Sequence, residues 1–192
     1  MLKRLFDVVG ACTLLLIFLP LMLAIAMCIK LDTPGPIFFS QRRVGLHQKI
    51  IIIYKFRTFR RCEENCTLGG LIASKNDSRI TFIGKLLRPS HLDELPQLWN
   101  VLRGDMSLVG PRPKIPTIID EIRGAHPDFH RQHDVPPGLT GPAQIEGRDN
   151  SHTGVQRCAH LDIEYANERW SIWKDIRILF CTIGVVLRRK GI

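Results

Sequence analysis

The sequence predicts a small α/β protein that is mainly helical, contains one short β-hairpin and associates with a membrane. Three observations indicate this fold class. An uncharged run of 22 residues, 8–29, lies near the N-terminus. Two segments rich in β-branched and aromatic residues follow it, and amphipathic helical patterns occupy much of the remaining chain. With 192 residues, of which 45% are hydrophobic, the chain is expected to build one core of ordinary size.

The apolar run 8–29 is long enough to cross a bilayer as one helix, and its residues leave three interpretations open. A cleaved signal peptide would explain the run, although it continues past the cleavage-like residues 24–26. A spanning helix is the second interpretation. The third is a re-entrant hairpin that turns at Pro20, because proline removes a backbone hydrogen bond and bends a helix. Basic residues flank both ends and weaken any preference for one orientation: Lys3, Arg4 and Lys30.

The two predicted strands cover residues 37–39 and 50–56, and the chain turns between them around Gly45. Lys55 and Arg57 alternate with apolar residues. Both are therefore expected to point from one face towards a pair of carboxylates further along the chain. Thr81 is predicted to cap a short helix over 82–87, which leads directly into Arg88.

That carboxylate pair, Asp93 and Glu94, lies at the centre of the motif-rich stretch 76–113. Either Ser90 or Asp93 is expected to cap the helix that follows, and Gly104 is expected to end it. The helix dipole favours an ionised carboxylate in the first turn. Apolar residues at spacings of three and four predict one buried face of this helix: Leu92, Leu95, Trp99 and Leu102.

An acidic pair at a helix start usually does no more than compensate the helix dipole. This pair has arginines around it, and Arg112 lies between Pro111 and Pro113, which fix the backbone on both sides. Its guanidinium group is therefore expected to act as a preset anion clamp. Cations around paired carboxylates suit a site that binds phosphate and Mg²⁺ together. The surrounding arginines are Arg79, Arg88, Arg103 and Arg112.

In the C-terminal half, residues 115–122 are predicted to form a short amphipathic helix. Three histidines then fall on one helical face: His126, His130 and His133. A solvated helix surface explains this spacing better than a zinc site does. A rigid turn over 136–141 leads to Gln144 and Arg148, which suit contacts with phosphate or sugar.

Residues 161–192 are predicted to be helical, with Trp170 and Trp173 near basic residues. Tryptophan with basic ends suits a helix that lies on an anionic membrane surface. A core helix with a charged tail explains the pattern equally well.

The charge balance indicates an anionic partner, because 27 basic and 18 acidic residues give a net charge of +9. Nucleic acid is disfavoured, since no binding signature accompanies the charge and aromatic residues are only 7%. An anionic membrane face or a phosphorylated substrate remains. The six cysteines form no disulfide framework, which favours reduced thiols on the cytoplasmic side.

An ordered set of motifs covers nearly the whole chain and resembles the bacterial sugar transferase family, the monotopic polyprenyl-phosphate phosphoglycosyltransferases. The central matches are Leu92-Asp93-Glu94-Leu95-Pro96-Gln97-Leu98, Asn100-Val101-Leu102, Gly104-Asp105-Met106-Ser107 and Val109-Gly110-Pro111-Arg112-Pro113. Further matches are Lys3-Arg4 with Phe6-Asp7, Gly35-Pro36 with Phe38-Phe39, Gln41 with Arg43 and Gly45, Lys55-Phe56-Arg57-Thr58, Pro137-Gly138-Leu139-Thr140-Gly141, Ala143-Gln144 with Gly147-Arg148, and Leu161-Asp162 with Tyr165 and Asp175.

The resemblance implies an enzyme at the cytoplasmic face of the bacterial inner membrane. Residues 1–31 would form a re-entrant membrane helix, and residues 32–192 a catalytic domain with interfacial amphipathic helices that contact phospholipids. The implied reaction transfers a sugar-1-phosphate from a UDP-sugar to undecaprenyl phosphate and releases UMP, the first step of a bacterial glycan.

The resemblance also implies roles for individual residues. Asp93 would be the nucleophile and Mg²⁺ ligand, forming an aspartyl-phosphosugar intermediate. Glu94 would orient basic groups or act as a base towards the acceptor, and Arg57 would pair with it. Phosphate oxygens and the nucleotide sugar would be held by Arg88, Arg112, Gln144 and Arg148.

Four positions depart from the family pattern: Leu19, Phe59, His91 and Pro142. Leu19 replaces a serine before the helix-bending proline, and Pro142 replaces a tryptophan beside the expected sugar site. The departures at Leu19, His91 and Pro142 keep a second hypothesis open, in which the chain is a catalytically silent membrane-anchored subunit on the same fold.

Overall fold

The structure is a computed structural model that describes residues 1–60, 77–117, 119, 124, 127–146 and 152–187. Its N-terminal half contains helix α1 (Leu2–Asp32), strands β1 (Phe38–Val44) and β2 (Ile50–Phe56), and helices α2 (Phe82–Leu87) and α3 (Gln97–Arg103). Strand β3 (Ser107–Val109), strand β4 (Gly138–Thr140) and helices α4 (Pro142–Glu146), α5 (His152–Asn167) and α6 (Ile172–Leu187) follow. Short 3₁₀ segments cover Leu46–Gln48, Arg88–Ser90, Leu92–Glu94 and Pro127–Asp134.

The protein is mainly helical, and its described strands form two small sheets of two strands each. β1 and β2 form the predicted antiparallel hairpin, with Phe38 opposite Phe56 and Val44 opposite Ile50. β2 has the predicted bounds, whereas β1 extends five residues beyond the predicted strand, to Val44. β3 and β4 pair in parallel, so two chain segments far apart in sequence lie side by side.

Helix α1 is continuous through Pro20, so the turn that the hairpin interpretation places there is not observed. It is the one described helix whose length and composition suit a membrane crossing. Its buried residues, Asp7, Ala11, Ile25 and Ile29, recur at helical spacing and lie against the rest of the chain. Ala11 packs with Leu98 and Leu108, whereas Ile25 and Ile29 pack with Phe56 and Leu87. The helix is thus held to the domain at both ends, while large apolar side chains between them are exposed: Leu16, Ile17, Leu19, Leu21 and Leu23.

Polar contacts reinforce both ends of α1. At the N-terminal end, Arg4 donates to the carbonyls of Val101 and Leu102 at 2.5 and 2.6 Å, in the last turn of α3. The Asp7 carboxylate accepts from the Ser107 hydroxyl and the Leu108 N–H at 2.9 and 3.0 Å. At the other end, the Asp32 carboxylate accepts from the Ile83 N–H at 3.1 Å.

The buried face of helix α3 differs from the predicted one. Leu98 and Val101 are buried, but Trp99 is 53% exposed, so the predicted stripe was wrong at Trp99. The physical reason is Asn100, which occupies a core position because its amide joins α3 to β2. It accepts from the Tyr54 N–H at 3.1 Å and donates to the Ile52 carbonyl at 2.7 Å. Gly104 ends the helix with φ of +91°, as predicted.

The C-terminal region is two helices rather than one continuous helix. The helical structure is interrupted at residues 168–171. Asp175, at the start of α6, accepts hydrogen bonds from residues that precede α6 in the chain. The Tyr165 hydroxyl and the Trp170 indole donate to Asp175 at 2.7 and 2.9 Å. Lys3 of α1 approaches the same carboxylate at 2.6 Å. The outer face of α6 exposes Trp173, Phe180, Ile183 and Leu187.

Candidate active site

Asp93 and Glu94 lie in a 3₁₀ turn ahead of α3 and are 9% and 6% exposed. His91 begins this turn with a left-handed φ of 55°, which turns the chain between two 3₁₀ segments. Neither predicted cap is found. The Ser90 hydroxyl donates to the Leu87 carbonyl at 3.0 Å, and α3 begins after Pro96 without a side-chain cap. Proline fits there because the first helical N–H groups have no partner to lose.

Glu94 pairs with two cations on one oxygen. Lys55 of β2 lies 2.7 Å from Oε1, and Arg112 lies 2.8 Å from the same atom. Lys55 therefore points towards the carboxylates, as predicted from the strand alternation. Its contact with Glu94 was not among the predicted site contacts, although this alternation was the signal for it.

Burial and charge shift the pKa values of both cations. Burial lowers the pKa of Lys55, and the attraction of Glu94 opposes that shift only in part. Burial also acts to lower the pKa of Arg112, but Glu94 and Asp93 outweigh it and the pKa is raised. The charge of Asp93 acts on both cations, so the two carboxylates and two cations form one electrostatic cluster. We call Lys55, Asp93, Glu94 and Arg112 the carboxylate cluster.

The loop that carries Arg112 is held from both sides. The Gly110 N–H donates to the Thr140 carbonyl at 2.9 Å, and a Cβ at Gly110 would lie 2.5 Å from the Pro136 carbonyl oxygen. Only glycine fits this close approach between the two loops. On the other side, Arg43 of β1 donates to the Pro113 carbonyl at 3.1 Å. The neighbouring loops and strand thus fix the loop that presents Arg112 to Glu94.

Two further residues behind this loop were not assigned a role from the sequence. Lys114 pairs with the fully buried Asp162 of α5 at 2.9 Å. Burial raises the pKa of Asp162, and Lys114 opposes that shift. Asp162 belonged to a matched motif, which was the signal available for it. The pair ties α5 to the segment that follows Arg112.

The predicted pairing of Arg57 with Glu94 was wrong. The Arg57 guanidinium donates to the carbonyls of Thr33 and Pro34 at 2.7 and 2.6 Å. The reason is that β2 ends at Phe56, so Arg57 no longer follows the alternation that aims Lys55. Gly35 leaves room for the guanidinium, since a Cβ there would lie 2.6 Å from Arg57 Nη1. Arg57 therefore fixes the chain as it leaves α1.

Arg88 stacks on an aromatic ring. Its guanidinium carbon lies 4.9 Å from the centre of the Phe59 ring, one of the positions that departs from the family pattern. Within the described ranges no acidic side chain forms an ion pair with Arg88, so its charge remains available to an anionic ligand.

The remaining predicted residues are Gln144, Arg148 and the three histidines. Gln144 of α4 has both polar amide atoms buried, with no partner in the described part of the chain. Arg148 and His126 fall outside the described residues. Part of the helix predicted over 115–122 does as well.

The described residues contain no group of three His, Cys, Asp or Glu side chains that could hold a metal ion, and the histidine hypothesis stays untested because it includes His126. His130 and His133 lie in the 3₁₀ segment Pro127–Asp134, where His133 is buried. Its ring Nδ1 lies 3.2 Å from the His130 carbonyl oxygen. A local packing role accounts for this contact.

Comparison with known proteins gives a consistent result. A family model described as bacterial sugar transferase matches residues 1–189. The UDP-glucose:undecaprenyl-phosphate glucose-1-phosphate transferase of Escherichia coli K12 is 41% identical over 186 residues, covering 95% of this chain and 39% of the relative. The UDP-N-acetylgalactosamine-undecaprenyl-phosphate N-acetylgalactosaminephosphotransferase of Aeromonas hydrophila is 39% identical, covering 98% and 44%.

A third relative, the exopolysaccharide production protein PSS of Rhizobium leguminosarum bv. phaseoli, is 41% identical over 201 residues, covering 99% of this chain and 98% of the relative. The chain thus spans less than half of the first two relatives but nearly all of the third.

Proposed function

Because the chain belongs to the bacterial sugar transferase family, we propose that it transfers a sugar-1-phosphate from a UDP-sugar to undecaprenyl phosphate. The names of two relatives describe this reaction with glucose and N-acetylgalactosamine. The observation that carries the proposal is the carboxylate cluster, in which Lys55 and Arg112 converge on Glu94 next to Asp93. Such a cluster suits phosphoryl transfer, which requires positioned reactants and neutralised phosphate oxygens.

In the first step, a carboxylate oxygen of Asp93 attacks the phosphorus that bears the sugar. The bond from this phosphorus to the bridging oxygen breaks, and UMP leaves with the electron pair. In the second step, a phosphate oxygen of undecaprenyl phosphate attacks the same phosphorus. The Asp93–phosphorus bond breaks, which frees the carboxylate and yields the polyprenyl-diphosphate sugar. Asp93 suits this role because the surrounding cations favour its ionised form.

The other residues of the site hold the reactants. Glu94 keeps Lys55 and Arg112 in place, and its charge acts against the effect of burial on the pKa of both cations. Arg112 is the proposed contact for phosphate oxygens. Arg88, which stacks on Phe59 without an ion pair in the described residues, is its proposed partner. Gln144 has a buried amide without a protein partner in the described residues, which suits a contact with the donor.

Mg²⁺ is the proposed cofactor. This ion is commonly bound by one or two carboxylates together with substrate phosphates, so the adjacent Asp93 and Glu94 fit it without a third protein ligand. Asp93 would hold the ion, and the ion would supply charge neutralisation for the phosphate groups when bound.

We further propose that α1 is a re-entrant membrane element and that the domain lies at the cytoplasmic face. The support is that both ends of α1 contact the same domain, through Arg4 and Asp7 at one end and Asp32 at the other. A helix that crossed the bilayer would place one end on the far side, away from these partners. The exposed apolar faces of α2 (Phe82, Leu86) and α6 support contact with phospholipids.

The experiment that tests the function incubates purified protein with Mg²⁺ and a panel of UDP-sugars, without lipid acceptor. We expect about one equivalent of UMP per site with the correct sugar, as for a trapped covalent intermediate. The protein mass should increase by one sugar phosphate on the peptide that contains Asp93. Asp93→Asn should abolish both signals.

Asp128→Asn is the matched control, because Asp128 is exposed and distant in sequence from the carboxylate cluster. It should keep the burst. A full burst from folded Asp93→Asn protein would exclude this nucleophile. No UMP from any UDP-sugar, with or without undecaprenyl phosphate, would favour the silent subunit.

A further inference from the structure

A second candidate site lies outside the carboxylate cluster. A cavity of about 230 Å³ is enclosed by the N-terminal end of α1, the chain before β4 and the turn between α5 and α6. Buried Val109 and the partly buried Tyr165 contribute apolar surface, and the exposed Arg169, Trp170 and Ser171 lie at its outer edge. None of these residues has a role in the proposed transfer reaction.

Two cations of this cavity are open to an anionic ligand. Among its three cations, Lys3 is neutralised by Asp175 and Asp7 at 2.6 and 3.4 Å. Lys174 pairs with Glu168 at 2.5 Å, but both side chains are partly exposed, so little free energy opposes an exchange of partner. Arg169 has no acidic partner in the part of the chain that the structure describes. Arg169 is therefore unpaired within the described residues, and Lys174 can exchange Glu168, which also lines the cavity, for an anionic ligand.

The surroundings of the cavity are suited to a lipid surface. Trp173 is 77% exposed at the start of α6, and Leu2 of α1 is 72% exposed beside Lys3. α6 continues with exposed apolar residues along one face. Tryptophan next to cations is typical of the boundary between lipid chains and headgroups. Exposed apolar side chains are thus the chain neighbours of two lining cations, Lys3 and Lys174.

We propose that this cavity binds the phosphate headgroup of an anionic phospholipid through Arg169, Lys174 and Ser171, while the acyl chains lie along α6. The size agrees with this occupant, because drug-sized ligands need roughly 300–1,000 Å³ and a phosphate headgroup is smaller. Arginine provides a planar fork for phosphate oxygens, and lysine adds a point charge.

The inference rests on the proposed membrane location but not on the transfer reaction, so its test contains no UDP-sugar. The full chain in detergent micelles is titrated with dioleoyl phosphatidylglycerol or dioleoyl phosphatidylcholine, and bound lipid is counted by native mass spectrometry. The wild type should retain one phosphatidylglycerol more tightly than phosphatidylcholine. Arg169→Gln/Lys174→Gln should weaken phosphatidylglycerol binding by roughly fivefold for each cation removed.

The matched control is Arg131→Gln/Arg157→Gln, which removes two exposed cations elsewhere and so changes the net charge equally. It should retain the lipid within about twofold of the wild type. Equal weakening in both double variants would show general attraction and overturn the site. Equal retention of phosphatidylcholine by the wild type would do the same.

A final arm uses soluble glycerol 3-phosphate in place of the lipid. Binding as tight as that of phosphatidylglycerol would assign the cavity to a small soluble phosphate and overturn the lipid as its occupant. Arg169→Gln alone removes an exposed side chain without an ion pair in the described residues, so it tests the site even if the double variant unfolds. Unchanged affinity in this folded variant would also overturn the proposal.

Discussion

Glu94→Gln should destabilise the protein because it leaves two partly buried cations close to each other. Lys55 and Arg112 both contact Glu94 Oε1, at 2.7 and 2.8 Å, and their side chains are 16% and 24% exposed. Because both nitrogens contact one oxygen, they lie at most about 5.5 Å apart, where two like charges repel by roughly 3 kcal/mol at an effective dielectric constant near 20. Removal of one partner from a buried ion pair costs about 3–5 kcal/mol. Since both cations retain some contact with water, we expect a loss near 3 kcal/mol.

The assay is a double-mutant cycle with Lys55→Met, which keeps the length of the side chain but removes its charge. Thermal unfolding in detergent would be followed by circular dichroism. For a chain of this size, about 3 kcal/mol corresponds to a decrease of roughly 6–12 °C in the unfolding midpoint. Lys55→Met alone should cost about 1 kcal/mol, because Arg112 still neutralises Glu94. The double variant should be more stable than Glu94→Gln, since the repulsion is gone.

The pH dependence provides a second measurement. Burial already lowers the folded pKa of Lys55 below its ordinary value of 10.5, and loss of Glu94 lowers it further. Between the folded and unfolded pKa values the unfolded chain binds more protons, so stability rises with pH in that interval. Glu94→Gln should therefore regain stability as the pH increases towards 10.5. The double variant should not show this increase.

Two results would refute this reasoning. If the losses of Glu94→Gln and Lys55→Met simply add in the double variant, the two side chains are energetically independent. If the free energy of unfolding of Glu94→Gln does not change over the alkaline range, the charge left without a partner is not that of Lys55.

Two further predictions concern the membrane helix and the link between α3 and β2. In a variant without native cysteines, Leu2→Cys and Lys30→Cys should both react with a membrane-impermeant maleimide from the cytoplasmic side. Reaction of either cysteine only from the periplasmic side would establish a crossing helix. Asn100→Leu should lower the free energy of unfolding by about 2–4 kcal/mol, because the Tyr54 N–H and the Ile52 carbonyl lose a buried partner. Chemical denaturation of this variant and of Asn100→Asp measures the change, and a loss below about 0.5 kcal/mol would contradict the role of Asn100 in joining α3 to β2.

Local signals in the sequence predicted several elements correctly. The β-branched run predicted β2 with its observed bounds, and Thr81 caps α2 by accepting from the Gly84 N–H at 2.9 Å. These features depend on neighbours within a few residues, which periodicity and capping rules capture. The motifs also predicted the family that the whole-chain comparison identifies.

Features that depend on distant residues were not predictable in the same way. Trp99 was placed in the core because a rule of spacing cannot show that the amide of Asn100 binds β2. Arg57 was expected to point towards the carboxylates because alternation does not show where a strand ends, and its pairing with Glu94 came from the family resemblance. The pair of Lys114 and Asp162 joins residues 48 positions apart, and only the tertiary structure brings them together.

The attachment of α1 at both ends means that this helix is not a detachable anchor. A shortened chain that begins after Asp32 would leave the Ser107 hydroxyl and the Leu108 N–H without the Asp7 carboxylate, and the last carbonyls of α3 without Arg4. Asp175 would lose its cation as well. Attempts to obtain a soluble enzyme by deleting the apolar segment would therefore damage the fold around the loop of Arg112. Substitution of the exposed apolar residues in the middle of α1, with its two ends left intact, is the route to solubility that this arrangement favours.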